Sequence, residues 1–112
     1  MTPKRIQRKR TKGWRMPPNT LYVGRGSKWG NPFSIDYHIR VMGFSEDEAR
    51  RECIFKFTEC ITGRDEPISP DYAKQMDTIK KNIAALRGLN LCCWCPLDQP
   101  CHADVLLEIA NG

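Results

Sequence analysis

The chain has no apolar run near the ~20 residues that a membrane-crossing helix needs, so no membrane is expected among its partners. Its basic start has no hydrophobic stretch behind it, which argues against a secretory signal and sets a cytoplasmic location as the expectation. No acidic residue occurs before Asp36, so nothing in the first third can neutralise the cations there. No GK[ST] triplet is present, which excludes a Walker loop. The cysteines lack the spacing of a secreted disulfide scaffold: Cys92 and Cys93 are adjacent, and Cys53 and Cys60 fall inside a helical pattern. Reduced thiols are therefore expected, with or without a metal. At 112 residues, 40% hydrophobic and 28% charged, the chain has room for one core and not for two.

What is present is distributed unevenly. Residues 1–35 hold nine Lys or Arg, while residues 36–112 hold nine against thirteen acids. The asymmetry points to a polyanion reached through the N-terminal third. Residues 1–18 read as a basic arm, with Lys4, Arg5, Arg8, Lys9, Arg10, Lys12 and Arg15 to neutralise phosphates and Trp14 to stack on a base. A solvated tail is the plain alternative, and the arm carries no base-reading code.

Leu21 to Val23 has the pattern of a short strand, and Gly24-Arg25-Gly26-Ser27-Lys28-Trp29-Gly30-Asn31 follows it. Glycines let backbone N–H groups turn toward an anion, and Arg25, Lys28, Ser27 and Asn31 would complete a phosphate cradle. The GxGxxxG spacing is not the dinucleotide fingerprint, and a simple glycine turn into Asn31-Pro32 would look the same. His38 sits in a segment of mixed pattern and reads as a surface or supporting histidine. A helix is predicted over 45–61, with Ser45 and Glu48 as a capping box and Ala49, Cys53, Phe57, Cys60 and Ile61 on its buried face. A second helix begins at Ser69-Pro70, buries Tyr72, Met76, Ile79, Ile83 and Leu86, and stops at Gly88.

The densest stretch is Leu89 to Leu107, which reads as buried strand, short loop and closing helix. Four of the six cysteines and one of the two histidines lie in it. Gln99 is the expected cap and Pro100 the first helical residue, with Cys101 and His102 in the first turn, where a thiolate or an anion is favoured. The expected fold is a small single-domain α/β sandwich over 19–112, with a short, mostly parallel sheet and about three helices. In such sheets ligands bind beyond the carboxyl ends of strands. The Gly24 loop and the 95–102 loop both follow strands and should open on one positively charged pocket.

These residues also resemble a known family. Leu21-Tyr22-Val23-Gly24-Arg25, Lys28-Trp29-Gly30-Asn31-Pro32-Phe33, the basic Arg5 to Met16 lead-in, and Cys93-Trp94-Cys95 through Cys101-His102-Ala103-Asp104-Val105-Leu106 are similar to domain-of-unknown-function family 4326, encoded by bacteria and their viruses. The resemblance implies a bacterial or phage origin and assigns no particular activity. The Cys…Cys-His corner is also similar to uncharacterised family 488, whose pattern ends in Cys-His-Arg; here Ala103 stands in place of that arginine.

Three readings of the corner remain open. Cys93, Cys95, Cys101 and His102 would hold zinc as a Cys3His set. Alternatively, Cys101 or Cys95 is a nucleophile with His102 as its base, acting on a nucleotide or nucleic acid. Finally, the cysteines are small hydrophobes that fill a tight corner. The function expected from the whole is phosphate-directed binding of nucleic acid or a nucleotide. A thiol-dependent enzyme and a small zinc-stabilised adaptor for a host protein are the alternatives, and the oligomeric state is not legible.

Overall fold

The computed structural model describes residues 2–112 and builds an α/β fold around three short parallel strands. Strand β1 is Arg5–Gln7, β2 is Thr20–Tyr22 and β3 is Asn90–Cys93, in spatial order β1-β3-β2. The last strand in sequence is thus the central one, paired with Arg5 to Gln7 on one side and Thr20 to Tyr22 on the other. Its residues Leu91, Cys92 and Cys93 are all buried, as a central parallel strand requires.

Residues 5–7 were expected in a free arm. They are instead an edge of the sheet: the Leu91 amide donates to Lys4 O, and the Arg8 amide donates to Cys93 O at 2.7 Å. The run Arg5-Ile6-Gln7 has one apolar residue between two polar ones, so its strand character was hidden by the charges around it.

Four α-helices complete the fold: α1 Ile35–Arg40, α2 Glu46–Ile61, α3 Pro70–Asn82 and α4 His102–Asn111. The predicted capping box of α2 is formed, with the Glu48 amide donating to Ser45 Oγ and the Ser45 amide to Glu48 Oε1. Pro70 opens α3 behind Ser69, and a 3-10 turn over Ile83–Leu86 carries it to Gly88, whose φ of +81° makes the sharp exit that glycine favours. The start of α4 differs from expectation. Cys101, not Gln99, is the cap, because the Asp104 carboxylate reaches back to accept from the Cys101 amide at 3.2 Å. None of the helices among the described residues is long and apolar enough to cross a membrane.

The core lies on one face of the sheet. Side chains alternate along a strand, so Leu91, Cys93 and Val23 face Phe57, Met76, Ile79, Leu86 and Leu106. Cys92 points the other way and stands outside that cluster. His38, expected as a surface or supporting histidine, is not at the surface: it is 2% exposed. Its Nδ1–H donates to Ser34 O at 2.6 Å, which leaves Nε2 to accept from Lys56 Nζ at 2.9 Å.

Because β1 supplies one of only two hydrogen-bonded neighbours of β3, deleting residues 2–7 should abolish cooperative thermal unfolding monitored by circular dichroism. A truncated protein that melts within a few degrees of the intact one would show that the sheet does not need this strand.

Candidate functional site

The glycine loop and the cysteine corner open on a common cleft of about 150 Å³. Gly24, Arg25 and Asn31 line one wall, Cys93, Cys95, Cys101 and His102 another, and Arg50 reaches in from α2. Two arginines and no carboxylate are among the lining residues. The convergence follows from strand direction: β2 and β3 run parallel, so the loops that leave them emerge at the same edge.

The glycine loop is a rigid wall. Ser27 Oγ donates to Gly24 O at 2.6 Å, and the Ser27 and Gly30 amides close successive turns. The Arg25 guanidinium donates to Asn31 O at 2.6 Å and Phe33 O at 2.9 Å, which leaves further N–H groups of its fork for a ligand. Buried Asn31 donates from Nδ2 to Cys53 O and accepts from the Phe33 amide, so its side chain is engaged in holding the loop to α2. Lys28 lies over the Trp29 ring at 5.1 Å.

Opposite stands a group of three thiols. Cys93 and Cys95 are two apart and face the same way, and the 96–100 loop returns Cys101 to them. The three sulfurs lie within 4.8 Å of one another, and Cys93 Sγ and Cys101 Sγ are 3.3 Å apart. Such a set can hold a metal ion. His102, the fourth candidate ligand, is not in this mutually close group. Its Nε2–H donates to Val23 O at 2.8 Å, so Nδ1 is bare and lies 3.5 Å from Cys101 Sγ.

The thiols differ in acidity because they share protons. Cys93 is pushed up: it keeps its proton by hydrogen bonding to Cys101 and Cys95, and burial adds to this. Cys95 is held well below the usual thiol range by hydrogen bonds from Cys101 and Cys93; burial opposes the shift, and Arg50 and Arg5 assist it. Arg50 Nη1 lies 3.9 Å from Cys95 Sγ. Cys101 is also lowered, chiefly by its hydrogen bond with Cys93.

Arg5 lies beneath the corner, with its side chain only 7% exposed. One nitrogen, Nη2, donates to Pro96 O at 3.1 Å, Leu97 O at 3.0 Å and Gln99 O at 2.7 Å. Nε lies 3.4 Å from Asp104 Oδ1, while Nη1 is buried without a hydrogen-bond partner. Burial works against its charge, and Asp104, Cys101 and Cys93 outweigh it, so the guanidinium is held above its ordinary value.

The other residues of the basic run lie outside the cleft. Arg8 and Arg10 stack on aromatic rings of the sheet's other face, Lys9, Lys12 and Arg15 are exposed, and Trp14 is half-buried with its amide donating to Thr11 O. Arg50 and the buried role of Arg5 were missed from sequence. Arg50 lies between acids and apolar residues of a regular helix, and nothing in its neighbours marks it as lining a cleft.

Arg5→Met keeps the apolar stem and removes the fork. It should lower stability by about 1.5 kcal/mol, the scale of lost hydrogen bonds from a charged group, read as a shift in the urea midpoint, and raise amide hydrogen exchange over 95–101. A change under ~0.5 kcal/mol would show that the loop holds its shape without this side chain.

No curated protein and no solved structure matches the chain. A family model does, over residues 6–112 and so over nearly the whole sequence. The chain belongs to the family described as "Domain of unknown function (DUF4326)".

Proposed function

We propose that the shared cleft binds a phosphate group of a nucleotide or nucleic acid. The observation that carries this reading is the meeting of Arg25 and Arg50 in a small recess with no carboxylate in its lining, Arg50 Nη2 lying 3.7 Å from Glu46 Oε1 one turn back on its own helix. Guanidinium forks match phosphate oxygens in geometry and stay charged at any physiological pH. Size narrows the ligand: about 150 Å³ is below the ~300 Å³ of a cleft that encloses a whole small molecule. The recess takes the phosphate end and leaves the sugar and base at the lip, where Trp94 is 40% exposed.

The finer assignment for the thiols is Zn²⁺ held by Cys93, Cys95 and Cys101. Ligands at ~2.3 Å in a tetrahedron place sulfurs about 3.8 Å apart. The observed 3.3 Å between Cys93 and Cys101 needs only a small outward adjustment. Three protein ligands leave a fourth position for water or an oxygen of the bound anion. Arg5 behind the sulfurs supplies a positive charge suited to a site with surplus thiolate.

A second reading has one observation in its favour: bare His102 Nδ1 faces Cys101 Sγ at 3.5 Å. That arrangement suits a thiol nucleophile with an adjacent base.

Nucleotide binding should appear as a rise in melting temperature that shrinks as salt increases. Arg50→Ala should weaken it about tenfold, the loss expected for one charge-assisted hydrogen bond. If neither nucleotides nor inorganic phosphate shift the melting temperature of the intact protein, the phosphate reading fails.

Elemental analysis of protein purified without a histidine tag should find one zinc per chain, and Cys95→Ser should release it. Metal-free protein whose thiols all react freely would reject zinc. Preferential alkylation of Cys95 or Cys101 below pH 8 in that protein would favour the thiol enzyme, since iodoacetamide reacts with the thiolate.

A further inference from the structure

The sheet has a second face, and no helix of the core lies on it. In register, Ile6 pairs with Cys92 and Cys92 with Tyr22, so these three share that face. Cys92 is fully buried and Ile6 and Tyr22 are half-buried, and none of the three belongs to the cluster that fills the other face of the sheet. Arg8 and Trp94 are each two residues beyond this row and project the same way, at the carboxyl ends of β1 and β3. The Arg8 guanidinium lies 5.0 Å from the Tyr22 ring centroid and 5.1 Å from that of Trp94, and Arg10 lies 4.9 Å from Trp94. The result is a ladder, Tyr22–Arg8–Trp94–Arg10, across all three strands.

Its charge is unanswered. Among the described residues, the carboxylates within ion-pair reach of a guanidinium or ammonium group are those serving Arg5, Arg40 and Arg50. Arg8 and Arg10, with Lys9, Lys12 and Arg15 beside them, have none. Guanidinium groups held about 5 Å over aromatic rings with no counter-anion match a polymer that alternates flat rings and phosphates. Trp94 also lines the cleft, so the ladder and the phosphate recess are continuous.

We propose that this face binds single-stranded nucleic acid, with bases stacking on Trp94 and Tyr22 and with Arg8 and Arg10 pairing with the backbone. A duplex keeps its base faces covered, so the open strand is the form that fits. The choice of partner rests on the phosphate reading of the cleft, but the ladder residues are distinct from Arg25 and Arg50.

Fluorescence anisotropy on the full chain tests it, using short labelled oligothymidylate, its oligouridylate counterpart and a hairpin duplex. Both single strands, or one of them, should bind more tightly than the duplex, and a preference between the two would identify the natural strand. Trp94→Ala should weaken single-strand binding about tenfold, with Trp94→Phe restoring most of it. The Arg8→Ala, Arg10→Ala pair should flatten the slope of log affinity against log salt by about 1.4. Circular dichroism melting checks that each variant is folded, and the double arginine variant keeps the test decisive if Trp94→Ala is not. Equal binding of the duplex, or wild-type affinity in both the Trp94→Ala and the double arginine variant, would overturn the proposal. Arg50→Ala tells the two failures apart: loss of mononucleotide binding with oligonucleotide binding retained leaves the ladder standing when the recess is disabled.

Discussion

The molecule depends on one buried cation. The Arg5 guanidinium enters from an edge strand, binds three carbonyls of the 96–99 segment and meets Asp104 in the first turn of α4. An unpaired charge in a protein interior is costly, so this one must be matched by acceptors, and each acceptor is thereby fixed in place. The segment it fixes is the one that carries Cys101 back to Cys93 and Cys95. The shape of the corner is therefore set by electrostatics at the far end of the sequence as much as by its own residues. The buried, partnerless Nη1 strengthens the point, since a donor left in that position asks for a negative neighbour, and sulfur is what lies nearby.

The cleft has two walls of different character. The glycine loop is saturated with internal hydrogen bonds and anchored to α2 through Asn31 and to α3 through Gln75, whose Nε2 donates to Gly30 O at 2.6 Å. The thiol wall holds protons and charge that can redistribute among three sulfurs. A rigid cationic wall facing an adaptable soft-ligand wall suits recognition of an anion beside a metal or a reactive sulfur.

Much of this was readable from sequence where local physics was sufficient. Ser45 and Glu48, Ser69 and Pro70, and Gly88 marked their boundaries because capping and turn chemistry act over a few residues. The convergence of the two loops was legible because parallel strands force it. The strand at Arg5 was not, since three residues flanked by cations give no periodicity to read. Gln99 looked like the cap of α4 because Pro100 suits a first helical position, but the reciprocal bond from Asp104 moved the boundary to Cys101. Asn31 shows a further limit: a polar residue in a glycine loop reads as a ligand contact, whereas here both ends of its amide serve the backbone.

The pairing of Arg5 with Leu91 joins residues eighty-six positions apart. As the chain emerges during synthesis, the two early strands have no neighbour to bond until the last quarter of the protein is available, and long-range closure of this kind slows folding. Throughout that interval Arg5 and the cations around it remain in solvent. Completion of the fold draws Arg5 out of solvent and leaves its neighbours on the surface, so assembly divides one charged run into an internal clamp and an external patch.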